Sequence, residues 1–318
     1  MSDPAVRDRV VGAVLGLALG DALGAPFEFR RAHDVPDPIP AFDLPWMGLP
    51  PGSTTDDTAM AMNLVRSLAD RGGFDADDLA ARHLAWFAGG PPDVGNLTRR
   101  VLSRAATGVP AADAARAVWE ERGPEVSAGN GSVMYCAPLG AAYANRREEL
   151  LDAAPALSAL THYDERCRTA VLAVTLAVAA LVRGETAQAA VEDAVGTTID
   201  REGGEELEFL VGAVDVQRPV DGPDQGFVLF TAGLGLQALY RVADDVPVAP
   251  DDVERELRRV VALGGDTDTN AAVAGALLGA AAGAANLPAR WVARLQGRTE
   301  IEAEAERLGT LAEQAGSG

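Results

Sequence analysis

Gly264-Gly265-Asp266-Thr267-Asp268-Thr269-Asn270 runs without a break into Ala271-Ala272-Val273-Ala274-Gly275-Ala276-Leu277-Leu278-Gly279 and on to Ala285. Alanine and leucine dominate the second half, so it is predicted as a helix over 269–285. The apolar run from Ala271 to Ala285 is shorter than the ~20 residues needed to cross a bilayer, and it reads as a central core helix. Gly275, Gly279 and Gly283 recur every fourth residue and give that helix a smooth face for close packing. Asp266 and Asp268 are two apart, which on a regular helix points them to nearly opposite sides. To cooperate they must lie on the turn entering the helix, and Gly264 and Gly265 permit that turn.

Outward from this segment the periodicity stays helical, and the β-branched and aromatic runs that strands prefer are scarce. The predicted class is all-α. Helices are expected over 5–23, 58–70, 75–88, 95–107, 110–121, 132–146, 164–183, 186–200, 204–217, 226–243, 250–263, 269–285 and 299–314. Arg71-Gly72-Gly73, Gly89-Gly90-Pro91-Pro92, Gly108, Gly123-Pro124 and Gly203-Gly204 punctuate them. No stretch resembles a flexible linker, so one domain is expected over 1–318, with a core of about 5–297 and a C-terminal helix and short flexible tail over 298–318. The Pro-rich stretch Arg31 to Pro51 is too long for an idle connection and is expected to be functional. No fixed-period repeat is present, which disfavours a solenoid.

Of the 318 residues, 27 are Lys or Arg and 47 are Asp or Glu, for a net charge of −20. All the positive charge is arginine, scattered among acids. Such a chain is disfavoured as a sequence-independent binder of nucleic acid or of an anionic membrane. Two cysteines, Cys136 and Cys167, are too few for a disulfide scaffold and fit a reducing, cytoplasmic setting. Val10 to Gly20 looks like the apolar part of a signal peptide, but Asp3 and Asp8 offset Arg7 and Arg9 and Asp21 follows directly. A buried helix is the better reading.

A second acidic cluster, Ser53-Thr54-Thr55-Asp56-Asp57-Thr58, also stands before an apolar helix. N-capping accounts for one such side chain, but not for two carboxylates and flanking hydroxyls in each of two places. Four carboxylates brought together without a cation would repel one another and rise in pKa. Oxygen ligands with no nearby histidine or cysteine suit a hard cation. Mg²⁺ is expected, as two ions, with Mn²⁺ as the alternative.

Five motifs in order now carry a resemblance: Gly16-Leu17-Ala18-Leu19-Gly20-Asp21-Ala22-Leu23-Gly24 followed by Glu28; Thr55-Asp56-Asp57-Thr58; Gly129-Asn130-Gly131-Ser132; Thr161-His162; and Gly264 to Thr269. From residue 10 to about 295 the chain resembles the ADP-ribosylglycohydrolase family. The resemblance implies an orthogonal all-α bundle with a binuclear magnesium site in a cleft. Carried over by position, Thr55, Asp56, Asp57, Asp266, Asp268 and Thr269 would hold the metals. Glu28 matches the family's acid near the scissile bond, and Asp93 resembles an acid of the nitrogenase-linked branch that faces the ribose or an arginine. A surface acid and an N-cap are their competing assignments. Glu28, Asp57 and Asp93 are thus the catalytic candidates, with Glu28 and Asp93 equal candidates for the general base.

Gly129, Asn130, Gly131 and Ser132 suit a phosphate cradle, since glycines let successive N–H groups converge. By resemblance this loop and His162 would contact the diphosphate and ribose of ADP-ribose, and Phe227 would border the adenosine or the acceptor, a helix-core role being its alternative. Tyr135 departs from the arginine that often follows Met in this loop. The resemblance implies a Mg²⁺-dependent hydrolase releasing ADP-ribose from modified protein side chains, arginine first. Other ADP-ribosyl linkages (serine, O-acetyl-ADP-ribose, nucleic acid) and a non-catalytic ADP-ribose binder are the competing readings.

Overall fold

The computed structural model describes residues 4–217, 219–242 and 247–315. Among these residues the order is α1 (Pro4–Gly24), α2 (Asp56–Arg71), α3 (Ala76–Ala88), α4 (Asn96–Ala105), α5 (Ala111–Arg122), α6 (Ala137–Ala142), α7 (Arg147–Ala159) and α8 (Glu165–Arg183), then α9 (Ala187–Glu202), α10 (Glu205–Gln217), α11 (Val228–Tyr240), α12 (Pro250–Ala262), α13 (Thr267–Ala282), α14 (Ala289–Val292) and α15 (Arg298–Ala315). The one sheet found there is a pairing of two two-residue strands, β1 (Arg30–Arg31) and β2 (Gly264–Gly265), antiparallel with Arg30 opposite Gly265. The all-α class therefore holds.

α1 and α13 form the central pair. Every residue of α13, and every residue of α1 from Val10 to Gly24, is buried, so neither helix has a polar face. Pro4–Phe27 is long and apolar enough to cross a membrane, yet it lies almost wholly inside this protein. Its burial follows from glycine on both sides of the contact. A Cβ at Gly12 would stand 2.3 Å from the carbonyl oxygen of Gly279, one at Gly16 2.1 Å from that of Gly275, and one at Gly20 1.8 Å from that of Ala271. The smooth face expected on α13 thus meets a second one on α1, and no side chain separates the two backbones. α8 packs on both helices of the pair and α11 on α13, while α15 lies across α1 and α2.

Three helix expectations need correction. The helix expected over 132–146 is a run of turns followed by the short α6. α7 was not expected at all. Pro155 lies inside it, and a proline argues against a helix interior because it removes an N–H and crowds the preceding turn. The helix expected over 226–243 spans Val228–Tyr240, and residue 243 lies outside the described residues, as does the tail 316–318. The short α14 and the β1–β2 pairing carry no periodicity long enough to read.

Candidate active site and metal centre

Close packing of α1 on α13 decides which residues meet. The C-terminal end of α1 reaches the start of α13 because Gly24 leaves room: a Cβ there would sit 2.3 Å from the carbonyl oxygen of Thr267. Thr267 Oγ1 donates to the Gly24 carbonyl at 2.9 Å and locks the junction. Just beyond, Phe29 N–H donates to the Gly265 carbonyl at 2.7 Å and β1 pairs with β2, which draws Glu28 against Asp266. Gly264 and Gly265 adopt φ of 69° and 76°, the left-handed region where other residues are strained. The predicted turn is real; Asp266 holds the N-cap position of α13 beyond it without a side-chain capping bond, and Asp268 lies in the helix's first turn rather than on the turn ahead of it.

Asp21 ties α1 to the other acidic cluster. Its carboxylate is fully buried and accepts the Thr55 N–H on both oxygens at 3.0 Å, the Thr58 N–H at 3.0 Å and the Thr58 hydroxyl. It therefore satisfies the start of α2 from a neighbouring helix. Thr55 is the N-cap of α2, and Asp56 and Asp57 lie in its first turn rather than ahead of it, where free N–H groups favour negative charge. The two helix starts touch: Asp57 Oδ2 accepts the hydroxyls of Thr55 at 3.1 Å and of Thr269 at 3.4 Å.

Metal-ligand geometry follows in part. One carboxylate oxygen from each of Glu28, Asp266 and Asp268 lies within 4.8 Å of the others. Asp57 Oδ1 and Asp268 Oδ1 are buried with no hydrogen-bond partner. Burial and mutual repulsion act on Glu28, Asp56, Asp57, Asp93 and Asp268. Burial, then Asp266, Asp93, Asp56 and Asp21, pushes Glu28 up to about 8. Burial and Asp93 raise Asp56 to about 7 against the pull of the Gly95 N–H, which donates to Asp56 Oδ2 at 3.1 Å. Asp57 and Asp268 are held well above the usual carboxylate range, chiefly by burial, and burial also raises Asp93. Orphaned oxygens and crowded acids with only oxygen donors are what a hard divalent cation neutralises.

The acids line one end of a cavity of about 410 Å³. Glu28, Asp56, Asp93, Asp266, Asp268 and Thr269 form that end, and Gly129, Asn130, Gly131, Met134 and His162 form another part of its wall. The loop is fixed from below: Asn130 N–H donates to the Gly226 carbonyl at 3.1 Å, and the Asn130 amide donates to Thr231 at 3.0 Å and to Asp266 Oδ2 at 2.9 Å. A Cβ at Gly131 would sit 2.7 Å from His162 Cε1, so glycine is required for the His162 ring to lie under the loop. Burial drives His162 down to about 3, leaving the imidazole neutral, and its Nδ1 lies 2.9 Å from the Thr161 hydroxyl.

Four sequence-predicted site residues, Thr55, Asp57, Ser132 and Phe227, stand apart from the wall of this cavity, Thr55 and Asp57 lying behind it at the start of α2. Ser132 is buried beneath the loop with its hydroxyl 3.0 Å from that of Ser158. Phe227 pairs with the loop through its backbone, opposite Gly129, while its ring meets Phe230 edge-on at 5.2 Å and lies under Arg166. Tyr135 is in the core, its hydroxyl 3.4 Å from Thr161 Oγ1. The sequence assigns no role to Asp21, nor to Thr231 and Asn270, which continue the hydrogen-bond chain from Asn130. A lone carboxylate between Gly20 and Ala22 in an otherwise apolar helix was the available signal for the first.

A family model described as ADP-ribosylglycohydrolase matches residues 2–318. The chain is 30% identical to the ADP-ribosyl-dinitrogen reductase glycohydrolase of Rhodospirillum rubrum, covering 95% of each. It is 28% identical to the ADP-ribosylhydrolase ARH3 of Gallus gallus over 95% of this chain and 93% of that one, and 27% identical to the ADP-ribosylarginine hydrolase Tri1 of Pseudomonas putida over 95% and 78%. A solved structure titled as an ADP-ribosylglycohydrolase-related protein complex superposes with a TM-score of 0.78 at 35% identity, over 98% of this chain and all of that one.

Proposed function

Since the chain belongs to the ADP-ribosylglycohydrolase family, we propose that it is a Mg²⁺-dependent hydrolase that releases ADP-ribose from ADP-ribosylated protein, with arginine as the acceptor. It is a hydrolytic enzyme by its family. The observation that carries it is the meeting of two acidic helix starts, with Thr269 Oγ1 3.4 Å from Asp57 Oδ2 and orphaned oxygens on Asp57 and Asp268.

Thr55, Asp56, Asp57, Asp266, Asp268 and Thr269 would hold two divalent ions, Mg²⁺ before Mn²⁺ on abundance and oxygen preference. When bound, the ions supply the positive charge that lets these acids ionise together and the Lewis acidity that polarises ribose hydroxyls and water. The remaining work falls to this chain. Gly129 and Gly131 stand in the cavity wall on either side of Asn130, whose amide is tied down to Thr231 and Asp266, and two glycines there suit the approach of a diphosphate to the backbone. His162 stays neutral beneath it, so the ring serves as a hydrogen-bonding wall rather than a counter-ion. Glu28 and Asp93 stand on the cavity wall, placed to stabilise positive charge developing at an anomeric carbon and to hand a proton to the departing group.

The arginine preference is supported by Asp93 on the cavity wall and by two relatives, one named for arginine and one for dinitrogen reductase. The test is release of ADP-ribose from arginine-, serine- and ester-linked conjugates, with Mg²⁺, with Mn²⁺ and with chelator. Metal-dependent release from the arginine conjugate supports the proposal. Release from serine alone overturns the acceptor, and no release from any conjugate leaves a binder.

A further inference from the structure

A second cavity, of about 220 Å³, shares Asp56 and Asp93 with the first, so these two residues stand in the walls of both. Its remaining wall includes Trp46, Leu49, Trp86 and Pro91, and no arginine side chain lines it. We propose that this chamber is the acceptor subsite, and that it receives the guanidinium of the modified arginine while ADP-ribose occupies the larger cavity. The proposal rests on the arginine reading above and names the residues that would enforce it.

Three features converge on a planar cation. The Asp93 carboxylate in the chamber wall can pair with a guanidinium's parallel N–H groups, whereas Asp56 is engaged by the Gly95 N–H and by the metal site. Trp46 and Trp86 both line the chamber, and indole is the ring to which guanidinium is attracted most strongly. Nothing positive opposes it, which a neutral serine hydroxyl or an acetate ester would not need. The shared carboxylates also fix where the bond to be broken lies, because a group attached to the ribose in one cavity must pass Asp56 and Asp93 to reach the other.

The chamber is built, not incidental to a loose loop. Trp46 is buried and exchanges backbone hydrogen bonds with Leu49 at 3.3 and 2.7 Å. The Pro-rich stretch around it is pinned elsewhere: Arg294 donates to the Phe42 carbonyl at 2.6 Å, Arg258 donates to the Ile39 carbonyl, and Gln296 N–H donates to the Gly52 carbonyl at 2.9 Å. Phe42 packs on Trp291 at 5.6 Å. This gives the long segment between β1 and α2 a role in substrate choice.

The experiment compares wild type with Trp46→Leu and Trp86→Leu, the half-buried Trp86 being the variant less exposed to misfolding. Turnover of ADP-ribosyl-agmatine and of a serine-linked ADP-ribosyl peptide is measured with Mg²⁺, alongside calorimetric binding of ADP-ribose and of free agmatine. Loss of one stacking face is expected to lower kcat/KM for the agmatine conjugate and agmatine affinity about tenfold, with ADP-ribose affinity held within twofold. Agmatine-conjugate turnover within twofold of wild type in the Trp86 variant overturns the subsite, as does an equal loss of ADP-ribose affinity. Wild type that cleaves the serine conjugate alone, yet binds agmatine in a Trp86-dependent way, sinks the arginine acceptor reading and leaves the guanidinium chamber standing.

Discussion

Gly16 of α1 and Gly275 of α13 touch through their backbones: a methyl group added to Gly16 would lie 2.1 Å from the Gly275 carbonyl oxygen, and one added to Gly275 would lie 2.1 Å from that of Gly16. That contact sets the distance between the helix that carries Asp21 and leads into Glu28 and the helix that begins at Asp266.

Gly16→Ala is therefore expected to do more than destabilise. The added methyl meets backbone on a rigid helix, so overpacking should cost about 3 kcal/mol. The same wedge separates Glu28 from Asp266 and Asp268, and divalent-ion affinity should fall with it. Gly196→Ala is the control: it is a glycine within α9 whose Cβ would meet nothing within 4 Å, so the change should stabilise by about 0.5 kcal/mol. Thermal unfolding and calorimetric Mg²⁺ titration of both variants decide the matter.

Asp21 should behave as a positioning residue with the phenotype of a ligand. Asp21→Asn keeps the shape but turns one acceptor into an N–H donor facing the Thr55 and Thr58 N–H groups. Leaving a buried N–H unpaired costs about 1–3 kcal/mol. Part of that cost falls on the start of α2, so Asp56 and Asp57 shift and Mg²⁺ binding should weaken about tenfold or more. Unchanged metal affinity with reduced stability would confine Asp21 to capping.

The helix class, both acidic clusters and the glycine face of α13 were legible because each is written in local spacing. Acid pairs before apolar runs and glycines at every fourth position need no knowledge of partners. What was not legible depends on pairing at long range. Gly16 and Gly20 read as part of a motif and Gly12 as part of an apolar helix, and only the register with Ala271, Gly275 and Gly279 shows them as the other half of one contact. Ser132 and Phe227 sit beside cavity-lining residues in sequence, but a turn and a backbone bridge send their side chains elsewhere. α7 forms across Pro155 because tertiary packing of Leu150, Leu151, Ala154 and Leu157 outweighs the local penalty.

Stability should respond to pH in opposite ways with and without metal. Glu28 and Asp56 are pushed up to about 8 and about 7, above the values near 4 of an unfolded chain. Between those limits the folded, metal-free protein holds more protons than the unfolded one, so its stability falls as pH rises from about 4 to about 8. Divalent ions compete with those protons and bind more tightly as pH rises, so the stability difference between Mg²⁺ and chelator should widen over the same window. His162 and His83, driven down to about 3 by burial, add the reverse slope below pH 6.5, where only the unfolded chain gains their protons. Tm measured from pH 5 to pH 8 in both buffers tests this, and a difference that does not grow with pH would contradict it.

Asp268 offers the sharpest separation of stability from function. It is buried, Oδ1 has no hydrogen-bond partner, and burial together with Asp266, Glu28 and Asp57 holds its carboxyl well above the usual range. In the metal-free protein it is a liability that the fold tolerates. Asp268→Asn removes the repulsion, keeps the volume and gives an amide that can donate to the neighbouring carboxylates. The variant is expected to be more stable than wild type in chelator at pH 7.5, by about 1 kcal/mol. In saturating Mg²⁺ the order should invert, because wild type gains binding energy that the variant has lost. ADP-ribose release should fall at least a hundredfold while the far-ultraviolet spectrum stays helical. A variant less stable than wild type in chelator would mean that Asp268 is held by contacts favouring its charge, and the case for a cation between the two helix starts would lose its strongest support.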